Sequence, residues 1–171
     1  MQILLMEGAY VLFLCAVIYL TRASAVRVIG SLSGGAAAGS FAILMIAAAR
    51  EEGWWSIPTG SLSYFWVQLF LGVAVSMAPT FLILWRVVRR FGWRGLVASL
   101  TFVAIIGPPR DYLIARYYPE WMVFSPGFVP LLFDAVTYVG MVVFGYMAMR
   151  LVAGPDAADH FGRKKKEASR I

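Results

Sequence analysis

The stretch LVASLTFVAIIGPPRDYLIARYYPE, residues 96–120, decides what kind of fold this chain can adopt. Its first part, residues 96–107, carries no charge, and the prolines Pro108 and Pro109 follow at once. At 1.5 Å per residue the uncharged part gives only ~18 Å of helix, too short for a hydrocarbon core of ~30 Å. Proline removes a backbone donor and can break a helix. We therefore expect a membrane helix that is broken or kinked at Pro108-Pro109, and that either continues to about Tyr117 or gives way to a second short helix.

Composition places the rest of the chain in the membrane as well. Of the 171 residues, 61% are hydrophobic and only 14% are charged, against about 45–50% and about 25% in soluble domains. Runs of roughly 20 apolar residues are typical of membrane spans, and four more occur, at residues 3–20, 28–49, 64–85 and 129–151. The sequence thus predicts an all-α polytopic protein with a five-helix transmembrane domain over residues 1–152. Residues 153–171 are predicted to form a basic, disordered cytoplasmic tail.

The basic residues indicate an orientation. Twelve of the fifteen lie at or after the end of the first, third or fifth span, at Arg22, Arg27, Arg86, Arg89, Arg90, Arg94, Arg150, Arg163, Lys164, Lys165, Lys166 and Arg170. With five spans these segments share one side, and Lys and Arg accumulate on the cytoplasmic side. We therefore predict a bacterial-type inner membrane location with the N-terminus outside and the C-terminus in the cytoplasm.

Two kinds of partner follow from these patterns. The net charge of +6 is concentrated at span ends, which favours anionic membrane lipid over nucleic acid. The second span also contains small residues four apart, such as Gly30 with Gly34 and Gly35 with Gly39. Such pairs let helix backbones approach closely. The neighbour could be another span of this chain or a membrane-protein partner.

Polar residues in the outer half of the spans predict a binding site. Charge at membrane depth is costly and usually faces the bundle interior, and broken helices form ligand sites in many transporters. Arg110 could pair with Asp134 or Glu7, or it could bind an anionic headgroup. The structural alternatives are a hydrated carboxylate near the interface and hydrogen bonds between helices. The predicted ligand-binding residues are Arg110, Asp111, Asp134, Glu7, Tyr138, Gln68 and Arg116.

Three functions are compatible with this site. The first is binding or transport of a lipid or small amphiphile, and the second is an accessory or structural subunit of a larger membrane complex. The third is a membrane enzyme using paired carboxylates such as Asp111 and Asp134 on a lipid-like substrate. The only histidine, His160, lies outside the predicted spans, so we expect no haem, no metal and no other cofactor.

Overall fold

The computed structural model describes residues 2–58, 62–119 and 121–155, and these form a helical bundle. Each of the five predicted apolar runs lies within one helix, which confirms the all-α class. A pair of two-residue strands joins two of the loops. In chain order the elements are α1 Gln2–Thr21, α2 Ala25–Glu51, β1 Trp55–Ser56, α3 Leu62–Phe91, α4 Trp93–Tyr117, β2 Val123–Phe124 and α5 Phe128–Ala153.

Three helices are long and apolar enough to cross a membrane, and they indicate a membrane protein. They are α2, the part of α3 over Trp66–Phe91, and α5. In α1 the stretch Gly8–Thr21 is also apolar, but it has fewer residues than any of these three helices. Helix α4 matches the others in length, but the polar residues that follow Ile106 interrupt its apolar run. A count of five membrane spans is therefore a proposal.

Helix α4 is continuous through both prolines. The expectation that the helix could end there, with a second short helix beginning, is wrong. Pro108 and Pro109 cannot donate to the carbonyls of Ala104 and Ile105, yet the flanking turns keep their helical hydrogen bonds and carry the helix on to Tyr117. The kink at this point remains a prediction.

Helix α2 packs between α3 and α5 through its glycines. A Cβ at Gly34 would collide with the Gly145 carbonyl of α5, and a Cβ at Gly35 would collide with the Ala74 carbonyl of α3. Only residues without a side chain allow backbones to come this close. The small-residue pattern of the second span is therefore used for packing within the chain.

The two ends of the bundle differ in chemistry. At one end Arg27 of α2 donates to the carbonyls of Gly154 and Pro155 and lies over the ring of Trp85 in α3. We call this the arginine end, because the described arginines 22, 27, 86, 89, 90, 94 and 150 lie near it. At the other end β1 and β2 pair antiparallel, and we call it the strand end. The structure thus brings the basic segments together, as the charge pattern predicts.

Candidate functional site

Three polar side chains from α4 and α5 form a hydrogen-bonded cluster towards the strand end. Arg110 donates from Nε and Nη2 to Oδ1 of Asp111, at 2.8 and 2.7 Å. Tyr138 donates its hydroxyl proton to Oδ2 of Asp111 at 2.7 Å, and its oxygen accepts from Nη2 of Arg110. Both carboxylate oxygens of Asp111 are therefore occupied, and the hydroxyl of Tyr138 bridges the two charged groups.

Arg110 pairs with its own neighbour in the chain, whereas the sequence suggested Asp134 or Glu7. Consecutive side chains on a helix point in different directions, so the long arginine side chain has to fold back to reach Asp111. Its side chain stays 59% exposed, whereas that of Asp111 is 12% exposed. Nη1 of Arg110 makes no hydrogen bond to any residue that the structure describes. The guanidinium is thus held along one edge and presents the other edge outward.

The cluster depends on a close approach between α4 and α5. Gly107 is buried, and a Cβ at this position would overlap the ring of Tyr138. The ring therefore lies directly against the α4 backbone, one turn before Asp111. A glycine ahead of the two prolines has a packing role here, because it lets Tyr138 reach across to Arg110 and Asp111.

Asp134 lies behind the cluster and is the most buried acid in the described chain. It is 1% exposed, and its Oδ2 has no hydrogen-bond partner among the described residues. Helices α4 and α5 run in opposite directions, so Asp134 comes level with Asp111, within electrostatic range of Asp111 and Arg110. A buried polar atom without a partner costs about 1–3 kcal/mol. Asp134 is therefore an acceptor that lacks a donor.

An apolar ridge leads along α4 to Arg110. Phe102 is 63% exposed and Ile106 is 50% exposed, and with Arg110 they are spaced four residues apart. Residues at this spacing share one helix face. Arg110 lies about 10 Å before the end of α4, counting 1.5 Å per residue to Tyr117. The ridge therefore ends in a positive charge near one end of the helix.

The remaining predicted site residues do not join this cluster in the described structure. Gln68 is exposed on α3. Arg116 is exposed and lines a separate groove of about 220 Å³, together with Tyr112 and Phe124. The side chain of Glu7 lies outside the described residues. The structure thus unites four of the seven predicted residues: Arg110, Asp111, Tyr138 and Asp134.

Sequence reasoning missed two residues that shape the molecule. Tyr10 of α1 lies within electrostatic range of Arg110, so α1 also approaches the cluster. Arg27 is 2% exposed and joins three helices, although its place in a basic loop suggested only an orientation signal. The sequence does contain a signal for the place of Arg27, because Arg27 follows Ser24 by three residues. Ser24 caps α2 by accepting a hydrogen bond from the Arg27 backbone N–H. That spacing places Arg27 inside the helix and away from the loop.

No protein-family model, curated protein or solved structure matches this chain. Within residues 2–58, 62–119 and 121–155, no three His, Cys, Asp or Glu side chains come together as a metal site would require. The described side chains of the cluster offer the free Nη1 of Arg110, a carboxylate of Asp111 with a hydrogen bond on each oxygen, and one unsatisfied oxygen of Asp134.

Proposed function

We propose that this protein binds or transports a lipid or small amphiphile at the cluster formed by Arg110, Asp111, Tyr138 and Asp134. The observation that carries the proposal is the free edge of Arg110 at the end of the apolar ridge. The two N–H groups of Nη1 can each donate to an oxygen of a phosphate or carboxylate, and such charge-assisted hydrogen bonds are strong. An amphiphile could place its headgroup on Nη1 of Arg110 and its chain along Ile106 and Phe102.

The proposed membrane frame puts this site at the level of lipid headgroups. We propose five spans, with α1 and α4 crossing alongside the three apolar helices and with α4 kinked at its prolines. The strand end faces outward and the arginine end faces the cytoplasm of a bacterial-type inner membrane, since Lys and Arg favour that side. Arg110 then lies where a long side chain reaches the interface from within a span. Anionic lipid is the proposed partner of the arginine end.

The state of Asp111 favours binding over the enzymatic alternative. A general base must take up the proton that it removes, and hydrogen bonds that stabilise the carboxylate form oppose this. Oδ1 of Asp111 receives two hydrogen bonds from Arg110, and Oδ2 receives one from Tyr138. Asp111 is therefore engaged in holding Arg110, and Asp134 alone does not make a carboxylate pair. These contacts support a positioning role for Asp111.

Native mass spectrometry from mild detergent tests the proposal. The protein is purified from membranes, and the fraction that carries lipid is compared between wild type, Arg110→Gln and Arg50→Gln. Arg50 is a matched control, because it is an exposed arginine at the strand end of α2, away from the cluster. We expect Arg110→Gln to lose most of the retained lipid and Arg50→Gln to keep it. Equal retention in all three proteins would refute the proposal.

A further inference from the structure

We infer that the headgroup bound at this site is a zwitterion that carries a primary ammonium next to a phosphate, as in an aminophospholipid. The inference rests on the proposed function and adds the chemical class of the ligand. It comes from a second feature of the cluster, the unsatisfied oxygen of Asp134, which the proposal above does not use.

The charges of the cluster leave a place for a cation. Arg110 and Asp111 neutralise each other through their ion pair, at 2.7 Å between Nη2 and Oδ1. Asp134 has no ion pair with any described residue, although Arg110 lies within electrostatic range. A ligand that brought only acceptors would gain at Arg110 and leave Oδ2 of Asp134 without a donor. A ligand that carries a negative and a positive group matches Arg110 at one end of the cluster and Asp134 at the other.

The hydrogen-bonding capacity of the cluster requires a donor from the ligand. Each oxygen of Asp111 already accepts a hydrogen bond, whereas Oδ2 of Asp134 is an acceptor that the described residues leave without a donor. A primary ammonium provides three N–H donors, as the lysine side chain does. A quaternary ammonium has the same charge and no N–H at all. The cluster should therefore distinguish an ethanolamine headgroup from a choline headgroup.

Burial increases from Arg110 to Asp134 and gives the headgroup a direction. The side chain of Arg110 is 59% exposed and that of Asp111 is 12% exposed, while Asp134 is 1% exposed. A phosphate therefore meets Arg110 at the surface, and the ammonium beyond it points inward to Asp134. Desolvated charge pairs are the ones that discriminate between ligands, because a missing partner leaves a buried charge unpaired.

The test measures headgroup preference in the full-length protein. Wild type, Asp134→Asn, Arg110→Gln and the control Arg50→Gln are placed in nanodiscs of equimolar phosphatidylethanolamine, phosphatidylcholine and phosphatidylglycerol with identical chains. Lipids retained after release into mild detergent are then quantified by native mass spectrometry. Thermal unfolding of each variant is recorded alongside, and Asp134→Glu, which keeps the charge, serves as a second variant if Asp134→Asn does not fold.

We expect wild type and Arg50→Gln to retain the ethanolamine lipid over the choline lipid by roughly tenfold or more, the ratio that one hydrogen bond to a charged group provides. Asp134→Asn should keep its lipid and lose that preference, whereas Arg110→Gln should lose retention of all three lipids. Equal retention of ethanolamine and choline lipids by wild type, or an unchanged preference in Asp134→Asn, overturns the inference while the proposed function stands. Unchanged retention in Arg110→Gln overturns the proposed function itself.

Discussion

Arg27, near the start of α2, donates from Nη1 to the backbone carbonyl of Gly154, at the end of α5, at 3.0 Å. Its Nη2 donates to the next carbonyl, that of Pro155, at 2.8 Å. The last carbonyls of a helix have no partner within the helix and carry a partial negative charge. A single buried guanidinium thus binds the two carbonyls that follow the last turn of α5 and fixes that end against α2.

Replacing Arg27 by lysine should destabilise the bundle. A lysine ammonium keeps the charge, but it cannot reproduce the fork that spans two consecutive carbonyls. Losing one such charged hydrogen bond in a buried place should lower the free energy of unfolding by about 1.5–3 kcal/mol. Thermal unfolding in detergent measures the change. Arg22→Lys is the control, because Arg22 is exposed in the loop before α2, and an equal shift in both variants would contradict the role of Arg27.

Gly107→Ala should disturb the cluster through Tyr138. The added methyl group overlaps the tyrosine ring, and overpacking of this kind typically costs about 1–3 kcal/mol. We expect a lower unfolding temperature together with weaker lipid retention. Gly72→Ala is the matched control, since a Cβ at Gly72 meets no atom within 4 Å. A Gly107→Ala protein as stable as Gly72→Ala would show that the ring moves aside at no cost.

Tyr138→Phe isolates the hydroxyl from the ring. The variant keeps the contact with Gly107 but removes the bridge between Arg110 and Asp111. We expect a small loss of stability, about 0.5–1.5 kcal/mol, and a clear loss of headgroup preference in lipid retention, because Arg110 is no longer held in one direction. Tyr19→Phe controls for the chemical change, since Tyr19 is 83% exposed. If Tyr138→Phe kept the headgroup preference of the wild type, the Tyr138 hydroxyl would have no role in the site.

The helices could be predicted from the sequence because they depend on local composition. The run at residues 28–49 lies within α2, and the run at 129–151 lies within α5. The choice of partners could not be predicted in the same way. Arg110 had several acids within plausible reach, and only the packing of Gly107 against Tyr138 places Asp111 and the tyrosine hydroxyl together. The pairing of β1 with β2 also escaped prediction, because two-residue strands have no periodicity to recognise.

Cysteine accessibility tests the proposed orientation. In a Cys15→Ser background, Glu52→Cys at the strand end should react with a membrane-impermeant maleimide added to intact cells. Trp93→Cys at the arginine end should react only after the membrane is opened. Both positions are exposed, and they avoid Gly53 and Gly92, whose positive φ angles disfavour a side chain. Labelling of both residues from the same side would overturn the five-span topology.

The glycine contacts of α2 hold α3 and α5 in place against it. Where backbone lies on backbone, as at Gly34 with Gly145 and Gly35 with Ala74, helices cannot slide without a collision. Helix α4 also has close contacts at its glycines, with the Val87 carbonyl of α3 at Gly95 and with the ring of Tyr138 at Gly107. Helices α2, α3 and α5 therefore form one tightly packed unit, and α4 is seated on it at Gly95 and Gly107.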